Sequence, residues 1–180
     1  KTESKSIKMS EINNKYSKKY NAVYFDGKMI ENADSKSFKI IGDGFSKDKN
    51  NVFYFYKIIE DLDAKTFTII KNPSVRTKNY NSLYFNYFKD KNFVHYGIYR
   101  IKDADSKTFQ ILEDPYSKDK NSVYIVSEKI DSADPKTFKV LTYGYSKDKN
   151  NVFYFSQILK DVNPNTFEVL IYNYSKDKNN

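Results

Sequence analysis

The side chains best suited to chemistry in this sequence are carboxylates that recur at fixed places. Asp48, Asp90, Asp119, Asp148 and Asp177 each stand between two lysines. A second series runs through Asp34, Asp63, Asp105 and Asp134 and is continued by Asn163. Two carboxylates sharing a cleft could act as general acid and base on a glycosidic bond, and clustered carboxylates could hold calcium. The pattern argues against both. No D-x-D-x-D-G loop is present, and a residue copied into every unit describes a frame, whereas a reacting centre breaks the symmetry. The first series is read as turn-forming Asp, the second as structural caps that accept free backbone N–H groups.

His95 is the one histidine and there is no cysteine. Disulfides, cysteine nucleophiles and multi-histidine metal sites are therefore excluded, and a Ser–His–Asp site could be built once at most. His95 occupies the strand position held elsewhere by Tyr24, Phe53, Tyr124 and Phe153, so it is read as a substituted aromatic. Gly42-Asp43-Gly44 lacks the lysine and helix of a phosphate cradle. No catalytic residue, metal ligand or cofactor is assigned, and the chain is not expected to be an enzyme.

The 180 residues include 17 Tyr and 14 Phe, an aromatic content that a disordered chain lacks. No stretch approaches the roughly 18 apolar residues of a membrane span. The formal charge of +8 comes from 31 basic against 23 acidic residues, and only Arg76 and Arg100 are arginine. Residues 1–20 hold six lysines against Glu3 and Glu11, so half of the excess sits there and the other 160 residues carry +4. That field is weak, and phosphate readers lean on arginine, which argues against a nucleic-acid partner. Residues 1–15 are read as a flexible basic leader, and 16–180 as a single repeat domain.

The repeat defines what must position these side chains. Asn21, Asn50, Asn92, Asn121, Asn150 and Asn179 follow one another at steps of 29, 42, 29, 29 and 29. Phe38, Phe67, Phe109, Phe138 and Phe167 keep the same register, as do Ile40, Ile69, Ile111, Val140 and Val169. There are five full units and a truncated sixth. The step of 42 is 29 plus 13, a partial unit inserted near 72–87, where Lys78-Asn79-Tyr80-Asn81 matches Lys18-Lys19-Tyr20-Asn21.

Each unit is expected to be mainly β. Asn51-Val52-Phe53-Tyr54-Phe55-Tyr56 reads as a strand buried on both faces, and Lys57-Ile58-Ile59-Glu60 as a second short one. Asp134-Pro135 and Asn163-Pro164 predict a single helical or 3-10 turn, with the cap residue before a first-turn proline. Phe138-Lys139-Val140-Leu141 is a third strand. Ser146-Lys147-Asp148-Lys149-Asn150 is a tight reversal, with Tyr145 and Val152 expected as a cross-strand pair. A 29-residue unit cannot bury a core alone, so the units are expected to stack into an elongated or curved array.

The recurring Ser-Lys-Asp-Lys-Asn-x-Val-Tyr/Phe-Tyr followed by Ile-x-x-Ala-Asp-x-Lys-Thr-Phe-x-Val-Leu resembles the repeats of the bacterial DKNYY family. Its clearest copies are Asp148-Lys149-Asn150-Asn151-Val152-Phe153-Tyr154 and Asp119-Lys120-Asn121-Ser122-Val123-Tyr124. The first unit departs, with Lys19-Tyr20 where the others have Asp-Lys, so its turn is expected to differ. The resemblance implies export or envelope association in bacteria and brings no catalytic residues with it.

The expected function is a non-enzymatic binding or scaffold module in a bacterial envelope or secreted setting, with a Tyr- and Lys-lined surface. Its partner would be another protein or a surface polysaccharide. An inhibitor or immunity-type protein that masks a toxin or enzyme, and a weak nucleic-acid or glycan binder, are the alternatives. The segment that breaks the period supplies the candidate binding residues Arg76, Tyr80, Tyr84, Tyr87, His95 and Arg100.

Overall fold

A computed structural model describes residues 14–70, 87–97, 99–170 and 175–177. The described residues form short antiparallel strands and turns, without a helix and so without any helix able to cross a membrane. The contacts gather the chain into two compact units that divide between Tyr99 and Arg100, where the sequence reads one repeat domain over 16–180.

Each full sheet straddles a repeat boundary. Its first strand comes from the end of one repeat and its other three from the next. Lys39–Gly42, Phe45–Lys47, Val52–Tyr54 and Lys57–Ile59 make one such meander. Gln110–Ile111, Tyr116–Lys118, Val123–Ile125 and Glu128–Lys129 make another, and Lys139–Val140, Tyr145–Lys147, Val152–Tyr154 and Gln157–Ile158 a third. Registers repeat with the sequence, as in Ser46↔Phe53, Ser117↔Tyr124 and Ser146↔Phe153. Tyr145 pairs with Tyr154 and Val152 with Lys147, so the expected Tyr145–Val152 pair is corrected. Asp148 spends its side chain closing the turn, so the strands stop at Lys147 and resume at Val152.

The insertion leaves this pattern intact. Thr68–Ile70 pairs with Tyr87–Lys89 across the break, which places the extra residues in one strand connection. Most of the inserted partial unit lies outside the described residues, as do residues 1–13 of the basic leader.

Where a single helical or 3-10 turn is expected, the chain makes one hydrogen-bonded turn that does not continue into a helix. The Asp63 carbonyl accepts from Thr66 N at 3.2 Å and Phe67 N at 3.0 Å, and the chain then straightens. One turn bears the cost of helix nucleation with no propagation to offset it. The constant Phe is needed in the core, which sets where the turn ends.

That Phe is the contact from one repeat to the next. Phe38 lies 5.8 Å from Phe53, Phe109 6.3 Å from Tyr124, and Phe138 5.9 Å from Phe153, between ring centres. Val52 faces its own repeat with Phe45 and Phe67, whereas Phe53 joins Val23, Phe25, Ile30 and Phe38 of the repeat before. Both faces of the central strand are therefore covered, as its unbroken apolar run predicts. The aromatic run does not continue as strand, however. Phe55, Val126 and Phe155 open the next turn at φ of 54°, 57° and 53°. These are uncommon conformations for such residues. Their backbone N–H groups are held by the carbonyls of Gly44, Pro115 and Gly144 at 2.8, 2.9 and 2.7 Å.

Candidate functional site

The lysine–aspartate–lysine turns hold the repeats together. Asp48 Oδ1 accepts the backbone N–H groups of Asn50 and Asn51, each at 2.7 Å, which closes its own turn. Its Oδ2 accepts the N–H of Asp34, in the preceding repeat, at 2.8 Å. Asp90, Asp119 and Asp148 make the same link to Asp63, Asp105 and Asp134 at 2.6, 2.7 and 2.7 Å. Asp177 reaches Asn163 at 2.9 Å. Asp48, Asp90, Asp119 and Asp148 are all buried. A buried carboxylate is tolerated where charge-assisted hydrogen bonds replace its water, and here backbone N–H groups do so.

The two lysines work in opposite directions. Lys47, Lys118 and Lys147 reach forward, each donating at 2.8 Å to the carbonyls of Ala64, Pro135 and Pro164 in their own repeat. Lys49, Lys91, Lys120 and Lys149 reach back to the carboxylates of Asp34, Asp63, Asp105 and Asp134 at 3.0, 2.7, 2.9 and 3.3 Å. The Lys91 and Lys120 contacts hold Asp63 and Asp105 down at a pKa of about 2, helped by N–H donors from Thr66 and Thr108. Asp34 and Asp134 are lowered too, Asp34 chiefly by Lys49 and Asp134 chiefly by the N–H of Lys136. Three consecutive residues thus tie three turns together. The pattern of the DKNYY family matches residues 16–157 and 142–180. The chain belongs to the DKNYY family. No curated protein and no solved structure matches it.

In this DKNYY chain the first repeat is the exception expected from Lys19-Tyr20. Tyr20 and Asn21 both take positive φ, 50° and 65°, and make a two-residue hairpin with no carboxylate clamp. The capping residues Asp34, Asp63, Asp105, Asp134 and Asn163 all sit at the clamped turns. Their side chains are committed to the frame, and no group of three or more His, Asp or Glu among the described residues is placed to hold a metal ion.

The period break gives the frame a feature of another kind. Arg76, Tyr80 and Tyr84 lie outside the described residues. Tyr87 is fully buried with its ring 4.7 Å from that of Tyr96, so it is a core residue rather than a surface contact. Arg100 is exposed on the edge strand Tyr99–Arg100. His95 is buried and stacks on Phe88, with ring centres 5.0 Å apart and planes at 10°. The substituted-aromatic reading of His95 describes half of this change. Phe88 stands where the other repeats have Ser17, Ser46, Ser117 and Ser146, so small and large have exchanged partners across the strands. It is Phe88 that meets the preceding repeat, 5.8 Å from Phe67 and 5.2 Å from Phe45.

Beside this exchanged pair lies a cleft of about 490 Å³. One wall is Tyr54 to Glu60, the last strand of a sheet and the turn before it. The other is Phe88, His95 and Gly97. Lys28 lies 4.1 Å from the Tyr56 ring centre, a cation held over an aromatic face. Sequence reasoning placed His95 near a site but missed Phe88, Gly97 and the Tyr54–Glu60 wall. Aligning the repeats position by position carries part of the signal, because Phe88 stands where the other repeats have serine.

Proposed function

We propose that this DKNYY protein is a non-enzymatic binding module of a bacterial envelope or secreted system, and that its partner is a protein. The cleft at the period break is the observation that carries this reading. The side chains that could do chemistry are spent on holding repeats together, whereas the one irregular junction opens an apolar, ring-lined surface about the size of a ligand site. Ile58 is 37% exposed on its wall and lies on an edge strand, where an incoming chain meets open backbone groups.

The test places a photoreactive side chain at Ile58 or, as comparison, at exposed Lys36, in the full chain mixed with envelope extract. The expected result is one discrete adduct from position 58, destroyed by protease, with none from position 36. Adducts that only glycosidase removes, equal labelling at both positions, or no adduct at all would overturn the reading.

A further inference from the structure

We propose that the partner is a second copy of this chain, which pairs antiparallel along the edge strand Lys57–Ile59 about a two-fold axis at Ile58. The inference rests on the binding reading above and names the protein which that reading leaves open. The strand is the last of its four-stranded sheet, and among the described residues nothing pairs with its outer side. Its inner neighbour fixes which residue faces outward. Val52 pairs with Ile59, and Tyr54 with Lys57. At the place of Ile59 in three other repeats, the N–H of Ile30, Ile130 and Leu159 is donated inward to Val23, Val123 and Val152, at 2.8, 2.9 and 2.8 Å. An antiparallel ladder alternates, so the residue before it, Ile58, turns its N–H and carbonyl to the outside.

Those two groups set the register. Ile58 exchanges both hydrogen bonds with a second copy when it lies opposite Ile58 of that copy, which a two-fold axis provides. The two β-branched side chains, each 37% exposed in the single chain, then cover one another. At both ends Glu60 of one copy falls opposite Tyr56 of the other. Lys28 and Lys57 lie 4.1 and 5.9 Å from the Tyr56 ring centre, and Glu60 is exposed, so a carboxylate meets a pair of cations twice. That charge match selects a second copy. Two other repeats guard the same position. Exposed Arg100 and Lys129 stand where Ile58 does and would oppose their own copies with like charge. Met29 and Ile158 are apolar there, but on strands of two residues, where the same register sets Glu31 against Gly27 and Lys160 against Ser156.

Ile58→Lys is the direct test, and Arg100 and Lys129 show that the strand accepts a basic residue at this position. Sedimentation of the purified full chain, without extract, is expected to show a concentration-dependent dimer. Ile58→Lys should raise its dissociation constant about tenfold or more, and Ile158→Lys should leave it unchanged. Glu60→Lys should weaken the dimer too, and Lys28→Glu/Glu60→Lys, which exchanges the charges, should recover part of that loss. A photoreactive side chain at position 58 should give an adduct of twice the chain mass with no extract present. A chain that stays monomeric overturns the inference, as does a dimer that folded Ile58→Lys leaves unchanged or that Ile158→Lys abolishes. The two readings fail separately. An adduct from position 58 that forms only with extract sinks the second copy and leaves the binding reading standing, whereas no adduct with or without extract sinks the binding reading.

Discussion

The Asp119 carboxylate accepts the backbone N–H of Asp105 at 2.7 Å, and the neighbouring Lys120 returns to the Asp105 carboxylate at 2.9 Å. Two aspartates in successive repeats are thereby locked in opposite senses, one through its side chain and one through its backbone. Asp119 also accepts from Asn121 N, Ser122 N and the Tyr124 hydroxyl, at 2.7, 2.8 and 2.9 Å. Burial, and then this bond to a carboxylate, push the Tyr124 hydroxyl well above the ordinary tyrosine range.

Asp119→Asn is expected to destabilise the chain by about 3 kcal/mol. Its amide cannot accept at both oxygens, and buried N–H groups are left facing an N–H₂. Lys120→Ala removes only the exposed partner of an ion pair and should cost less than about 1 kcal/mol. Urea denaturation of both variants checks the ordering; a larger loss for Lys120→Ala would make the ion pair, rather than the buried carboxylate, the lock.

The clamps should make stability fall in acid. Asp63 and Asp105 are lowered from 3.8 to about 2 by Lys91 and Lys120. A carboxylate depressed in the folded state stabilises fully above its unfolded value and loses that contribution as pH falls through its folded one. Melting temperature should therefore drop steeply between pH 3.8 and about 2. The double variant Asp63→Asn/Asp105→Asn should start lower and fall less over that window.

Gly144 and Phe155 form a steric pair. A Cβ on Gly144, at φ of 80°, would meet Phe155 Cζ at 2.8 Å, whereas one on Gly27, at φ of 77°, meets nothing within 4 Å. Gly27→Ala should cost about 1 kcal/mol for its backbone alone, and Gly144→Ala more. Combining Gly144→Ala with Phe155→Ala should remove the excess. Thermal melts of the four proteins give the coupling.

Phe88 and His95 should be coupled as well. Phe88→Ser deletes the ring that meets Phe67 and should destabilise by about 3 kcal/mol. His95→Phe alone places two large rings opposite each other where the other repeats pair Ser with an aromatic. Phe88→Ser/His95→Phe restores the regular pair, and denaturation should show it more stable than the sum of its parts.

Much of the frame is legible in the residues. The steps of 29, the alternating strands and the antiparallel order follow from where Asn, Phe and Ile recur. Turn chemistry is legible too, since Asp at 48, 90, 119 and 148 predicts a turn and forms one. The second oxygen of each carboxylate is not legible. It bonds a backbone N–H in another repeat, and a backbone group has no signature in a residue pattern. Phe55 and Phe155 misled in the other direction, because a phenylalanine after a strand reads as more strand and not as a left-handed turn.

The sequence by itself determined the repeat, the β class and the break in period, because side-chain type at fixed spacing sets local conformation and which faces must be buried. Tertiary structure decided what the break does. Exchanging Ser for Phe88 and a larger aromatic for His95 keeps the strands paired, and a cleft lined by Tyr54, Phe88, His95 and Gly97 opens beside them. A cleft is the difference between two packed surfaces, and only three-dimensional packing brings those surfaces together.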